Sequence, residues 1–146
     1  MFADLLRRLA APEPARLPEP DAALALAALM VRVARSDGDY AAAEVARIDR
    51  ILMRRHDLPQ REAQALRARA ETLEAEAPDT VRFTRAIKQA VPLDDRMAVI
   101  EALWSVVLAD GERDAEEDGL LRLLANLLGI TDQDSALARQ RAEARP

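Results

Sequence analysis

Residues 22–34 read AALALAALMVRVA. This run suits a helix, and apart from Arg32 it offers no polar face. A helix that is apolar nearly all round cannot lie on a surface, so other elements must enclose it. The rest of the chain is built to supply them. Half of its 146 residues are apolar, but only four are aromatic: two Phe, one Trp and one Tyr. Ala, Leu, Arg and Glu dominate, a mix that favours helix over strand.

The enclosing segments can be read from their apolar spacing and their stops. Phe2, Leu5, Leu6 and Leu9 mark a short first helix, and PEPARLPEP is an extended proline linker completing residues 1–20. Asp21 is placed to cap the central helix, which runs to about Ser36. A helix over about 42–56 turns Val45, Ile48, Ile51 and Leu52 inward. Asp57-Leu58-Pro59 breaks it, with Pro59 suited to a first helical position. The next helix, to about Glu76, has a thin stripe of Leu66, Ala70, Leu73 and Ala77 and is expected outermost. Pro78-Asp79 opens a helix with Phe83, Ile87 and Val91 inward. Asp94 or Asp95 opens another, carrying Met97, Ile100, Trp104, Val107 and Leu108. The last long helix spans about 115–128, and Gly129-Ile130 has the form of a left-handed C-terminal stop. The tail 131–146 is read as a frayed helix. The expected fold is all-α: a compact bundle of about seven helices, its main domain at 21–130.

Composition closes several routes to function. A net charge of −5 argues against a nucleic-acid partner, which needs a basic face. Absence of cysteine removes disulfides, thiol nucleophiles and thiolate metal sites. No apolar run approaches the ~20 residues of a membrane span. MFADLLRRLAA is too short and too charged for a secretory signal, so a cytoplasmic, bacterial-type protein is expected. The four glycines form neither a phosphate loop nor a nucleophile elbow.

The chain also repeats itself. SDGDYAAAE, from Ser36, returns 73 residues later as ADGERDAEE, from Ala109. Each copy lies between an apolar helix and an amphipathic one, with Ile48 matching Leu121 and Ile51 matching Leu124. Two helix-loop-helix units predict a pseudo-two-fold packing, not a solenoid. Helix stop and start chemistry accounts for much of the loop. Gly38 and Gly111 permit positive φ, and Glu44 and Glu117 stand where a helix dipole favours anions. Asp114 with Glu117 forms an acidic capping box, and Tyr40 with Val45 a hydrophobic staple. Asp37 and Asp110 resist that account. They sit at helix C-terminal ends, where a carboxylate is disfavoured by roughly several tenths of a kcal/mol. Asp39 and Glu112 follow two residues on, and Glu116 and Asp118 add to the second cluster. Hard-oxygen binding of a divalent cation (Ca²⁺, Mg²⁺ or Mn²⁺) would relieve the crowding. The spacing is not that of an EF-hand, because Ala41, Ala43 and Ile48 occupy three of its ligand positions.

Helix, (A/S)DG(D/E), four residues, Glu, amphipathic helix, written twice in an all-α chain, resembles the TerB-like tellurite-resistance family over about Ala22 to Ile130. The resemblance implies a seven-helix domain whose paired acidic residues form a divalent-cation surface. It carries over to Asp37, Asp39 and Glu44 in the first loop and to Asp110, Glu112 and Glu117 in the second. Ala41, which has no capping side chain, and Ala43, opposite Glu116, depart from the pattern and predict weaker binding in the first loop. The resemblance further implies tellurite and stress phenotypes and a protein partner in a membrane-associated stress complex.

An enzyme is not expected. Tellurite reduction needs electrons from thiols or a redox cofactor, the chain has no thiol and no dinucleotide fingerprint, and no organic cofactor is expected. A carboxylate-and-metal hydrolase would lack anything to orient a nucleophile. The alternative to the cation module is a metal-independent scaffold that docks a partner on its acidic patch. Among other residues, His56 reads as a helix-end side chain, and Trp104 and Met97 as core. Glu71, Glu74 and Glu76 read as a solvated helix end. Arg47, Arg50, Arg54 and Arg55 read as a solvated face with salt-bridge partners, the alternative being a phosphate or partner contact.

Overall fold

The computed structural model describes residues 5–7, 19–36, 38, 40–76, 84–85, 87–89, 91–110 and 115–144. Six helices organise them: α1 (Glu19–Arg35), α2 (Ala42–His56), α3 (Gln60–Glu76), α4 (Leu93–Val107), α5 (Ala115–Leu127) and α6 (Asp132–Ala144). A 3₁₀ turn, Leu108–Asp110, extends α4. Among the described residues there is no strand, and the fold is an all-α bundle.

The central helix is enclosed, as its composition requires. Ala25, Ala27, Ala28, Leu29, Val31, Val33 and Ala34 of α1 are fully buried. Against α1 lie α3, α4, α2 and α5. The many buried alanines bring helix backbones close, while Leu29, Ile48, Leu52, Leu73, Ile100, Leu103, Leu121, Leu124 and Leu128 fill the volume between them. Removing a buried Leu from a core of this kind costs about 2–5 kcal/mol.

Helix ends follow local chemistry, with shifts from the sequence expectation. α1 starts at Glu19, so Asp21 lies inside the helix rather than capping it. Pro20 is tolerated there because a first-turn N–H has no partner in the helix. Pro92, not Asp94 or Asp95, precedes α4, and the two acids occupy its first turn. α2 ends at Asp57, held at φ 52°, with Leu58 N–H donating to the Met53 carbonyl at 3.0 Å. Pro59 accepts the first amides of α3 and stands just before it. After α5, Gly129 adopts φ 78°. Ile130 N–H donates to Ala125 at 2.8 Å and Gly129 N–H to Asn126 at 3.1 Å, the two bonds of a Schellman stop. Arg96 ties this stop to α4 by donating to the Leu128 and Val91 carbonyls. Ile87 and Val91 are buried as expected, while Phe83 lies outside the described residues.

Two helices depart further. α3 is polar, yet it packs directly on α1, burying Ala63, Ala70 and Leu73. The tail forms a regular helix, α6, packed along α4 with Ser135, Ala138 and Ala142 buried. Thr131 caps it, its Oγ1 accepting the Asp134 N–H at 3.1 Å.

The internal symmetry is therefore wider than two hairpins. α1 packs with α3 as α4 packs with α6, and α2 with α3 as α5 with α6. Across the repeats, α2 lies on α4 as α5 lies on α1. The repeating unit is three helices, α1–α3 against α4–α6.

Candidate functional site at the acidic loops

The first loop is braced on both sides. At its entry, Ser36 donates to the Val33 carbonyl from N and from Oγ, at 3.2 and 2.7 Å. Gly38 then takes φ 82°, a conformation open to glycine, and its N–H donates to Arg35 at 3.0 Å. At its exit, Glu44 is fully buried in the first turn of α2. Glu44 Oε1 accepts the Ala41 N–H at 3.1 Å, which is one half of a capping box. Ala41 has no side-chain acceptor to complete the other half.

Between entry and exit, Tyr40 lies half-buried with its ring 5.1 Å from the Arg35 guanidinium. Burial first, then the neighbouring Glu71 carboxylate, pushes the Tyr40 hydroxyl well above its ordinary pKa of 10.0. Arg35 in turn donates to Glu74 Oε2 at 3.0 Å, and Arg32 to the Glu74 carbonyl at 3.2 Å. Arg67 joins α3 to α2, pairing with Asp49 at 2.6 Å and with Glu71 at 3.1 Å. A half-buried belt thus runs Asp49–Arg67–Glu71–Tyr40–Arg35–Glu74. Glu71 and Glu74, expected to be solvated, are the acids that hold the loop's flanks to α3. Their partners on α1 lie far away in sequence, so no local pattern reveals them.

The second loop begins on the 3₁₀ turn Leu108–Asp110, and α2 packs against that turn. The helix that leaves the first acidic loop therefore touches the backbone that enters the second. Asp37, Asp39 and Glu112 lie outside the described residues. Asp110 and Glu117 are placed by backbone alone, at the end of the 3₁₀ turn and in the first turn of α5. Glu44 is placed completely, and it fits a helix cap: its Oε1 is committed to a backbone amide. Among the described residues, no three Asp, Glu or His side chains gather as a metal centre. The donor chemistry of the two loops, carboxylates only, suits a hard divalent cation.

Asp118, counted with the second cluster in sequence, is half-buried and lines a hollow with Trp104, Arg122, Ser135 and Arg139. Trp104 is a core residue there, with Nε1 donating to Ser135 Oγ at 3.1 Å and Arg139 over its ring at 5.6 Å. His56 is half-buried in the last turn of α2. No described helix is long and apolar enough to cross a membrane.

Neither the curated proteins nor the solved structures yield a match to this chain. The family model for tellurite resistance protein TerB matches residues 23–140, which span both repeats from α1 into α6. With that match covering most of its length, and with the doubled acidic loop in a helical bundle, the chain belongs to the TerB family of tellurite resistance proteins.

Proposed function

We propose that this chain is a non-catalytic, stress-associated TerB module whose two acidic loops share a divalent cation and present the loaded face to a protein partner. One observation supports the reading: α2, the helix that leaves the first loop, packs on the 3₁₀ turn Leu108–Asp110 that enters the second. Asp37 and Asp39 from one loop, with Asp110, Glu112 and Glu117 from the other, form the ligand set. Glu44 caps the start of α2 at the exit of the first loop. Two loops with few carboxylates each would reach the six to eight oxygens of a Ca²⁺ shell only together with water and backbone carbonyls.

The test is a thermal melt in chelator and then in millimolar Ca²⁺, Mg²⁺ or Mn²⁺. A ligand at 100 times its Kd adds about 2.7 kcal/mol to a folded state. At about 2–4 °C per kcal/mol for a domain near this size, the midpoint rises by roughly 5–11 °C. The rise disappears in Asp37→Asn/Asp110→Asn. A melt indifferent to all three metals overturns the reading.

A metal-independent scaffold is the second reading, supported by the Arg35–Tyr40–Glu71 brace, which ties the first loop's flanks to α3 through protein groups. Partner capture that is salt-sensitive but unchanged in chelator selects it.

A further inference from the structure

α2 carries a second charged feature. Arg47, Arg50, Arg54 and Arg55 line one wall of a cleft of about 240 Å³, opposite α4. Ala98 and Ala102 keep the α4 wall low, with Glu101 and Ser105 beside them. Four guanidinium groups thus meet a single carboxylate among the described lining residues, in a chain of net charge −5. Their spacing places like charges three and four residues apart, which disfavours the helix. Among the described residues, none of the four arginines makes an ion pair. Arg50, Arg54 and Arg55 are exposed, as a solvated face requires.

One arginine is held in position. Arg47 donates from one terminal nitrogen to Ser105 Oγ at 2.8 Å and to the Ser105 carbonyl at 3.4 Å. Burial first, then repulsion from Arg50 and Arg54, lowers its pKa, although a guanidinium stays charged in a protein. The positive charge of the cleft is therefore permanent, with Arg47 half-buried at its wall and the other three arginines exposed, an arrangement that attracts an anion.

We propose that this cleft binds a small soluble polyanion of the phosphate class, with at least two linked phosphate groups. Guanidinium forks match phosphate oxygens in pairs. Successive arginine rows on α2 stand about one turn, ~5.4 Å, apart, so a ligand with two linked phosphates engages two rows where one phosphate engages one. A soluble source fits better than a lipid headgroup, because among the described residues the exposed large apolar side chains, Leu93, Leu123 and Leu137, do not line the cleft.

Inorganic pyrophosphate is the probe, titrated into the full chain at low salt without divalent metal, by calorimetry and amide NMR. The expected result is saturable binding, tighter than for inorganic phosphate, with shifts confined to α2 and its facing residues on α4. Arg50→Gln/Arg54→Gln weakens it at least tenfold while leaving the circular dichroism unchanged. Arg61→Gln/Arg69→Gln, an equal charge change at exposed positions on α3, weakens it less than threefold. Absence of saturable binding overturns the proposal, as does equal weakening by the two double variants. Binding only to anionic vesicles or to an acidic peptide, with none to pyrophosphate, overturns it as well.

Discussion

Gly129 and Gly119 would respond to the same added methyl group with opposite sign. Gly129 sits at φ 78° and closes the Schellman stop; a Cβ there meets nothing nearer than Arg96 at 3.6 Å. Crowding is absent, so backbone strain alone acts, and Gly129→Ala costs about 1–2 kcal/mol. Gly119 lies within α5 with open space around a Cβ, and Gly119→Ala stabilises by about 0.5–1 kcal/mol. Urea midpoints of the two variants check both signs. Glu44 is decided by burial in the same way: Glu44→Ala removes the acceptor of the Ala41 amide and costs about 1–3 kcal/mol, and Glu44→Gln, which keeps an oxygen, costs less. Tyr40 makes a pH prediction. Its folded pKa is raised, so up to pH 10.0 both states hold the proton and its contribution is complete. Above that the unfolded chain ionises first, and the contribution is lost as pH rises through the folded value. Wild type should therefore lose stability above pH 10 faster than Tyr40→Phe, as read by parallel denaturation series. The glycine stop was legible from Gly-Ile after an apolar run. The Tyr40 environment was not, because it is made by Glu71 from another helix.

At the scale of elements, legibility followed hydrophobic contrast. α1, α2 and α4 carry strong stripes of Leu, Ile and Val, and their positions could be read to within a few residues. α3 and α6 could not be valued correctly. Their packed faces are Ala63, Leu66 and Ala70 in one, and Ser135, Ala138 and Ala142 in the other. These are matching positions 72 residues apart; all but Leu66 are small, which lets each helix settle closely on α1 or α4 and leaves only a thin stripe in α3 and none that stands out in α6. The repeat was read as two helices rather than three for that reason. α6 also covers Trp104, whose indole N–H ends on Ser135. A chain ending at Ile130 should therefore expose the α6-facing side of α4, including Trp104. Its expected signature is a red-shifted Trp emission, dye binding typical of exposed apolar surface, and loss of a cooperative melt. A truncated chain that melts as sharply as the full one would show that α6 is dispensable to the fold.

At the scale of the whole molecule, the two three-helix units meet so that a contact in one is answered in the other: α2 on α4, α5 on α1. This arrangement explains why an acidic loop written twice need not be two sites. The exit helix of the first loop packs on the entry turn of the second, and the proposed function asks one cation to draw on both. The proposed ligands stand out in the sequence because they repeat in register; whether they group depends on how the repeats pack, which no spacing encodes. Single variants separate the arrangements. With a shared ion, Asp37→Asn and Asp110→Asn each remove charge from the same shell, so either alone weakens metal binding as a whole, by at least tenfold, and the double variant adds little. With two independent loops, each single variant leaves one binding event at its original affinity and halves the stoichiometry. Calorimetric titration with Ca²⁺ or Mn²⁺ reads both quantities together. A stoichiometry near one that keeps its value while the affinity falls in either single variant identifies the shared site, and a stoichiometry falling from about two to about one identifies separate loops.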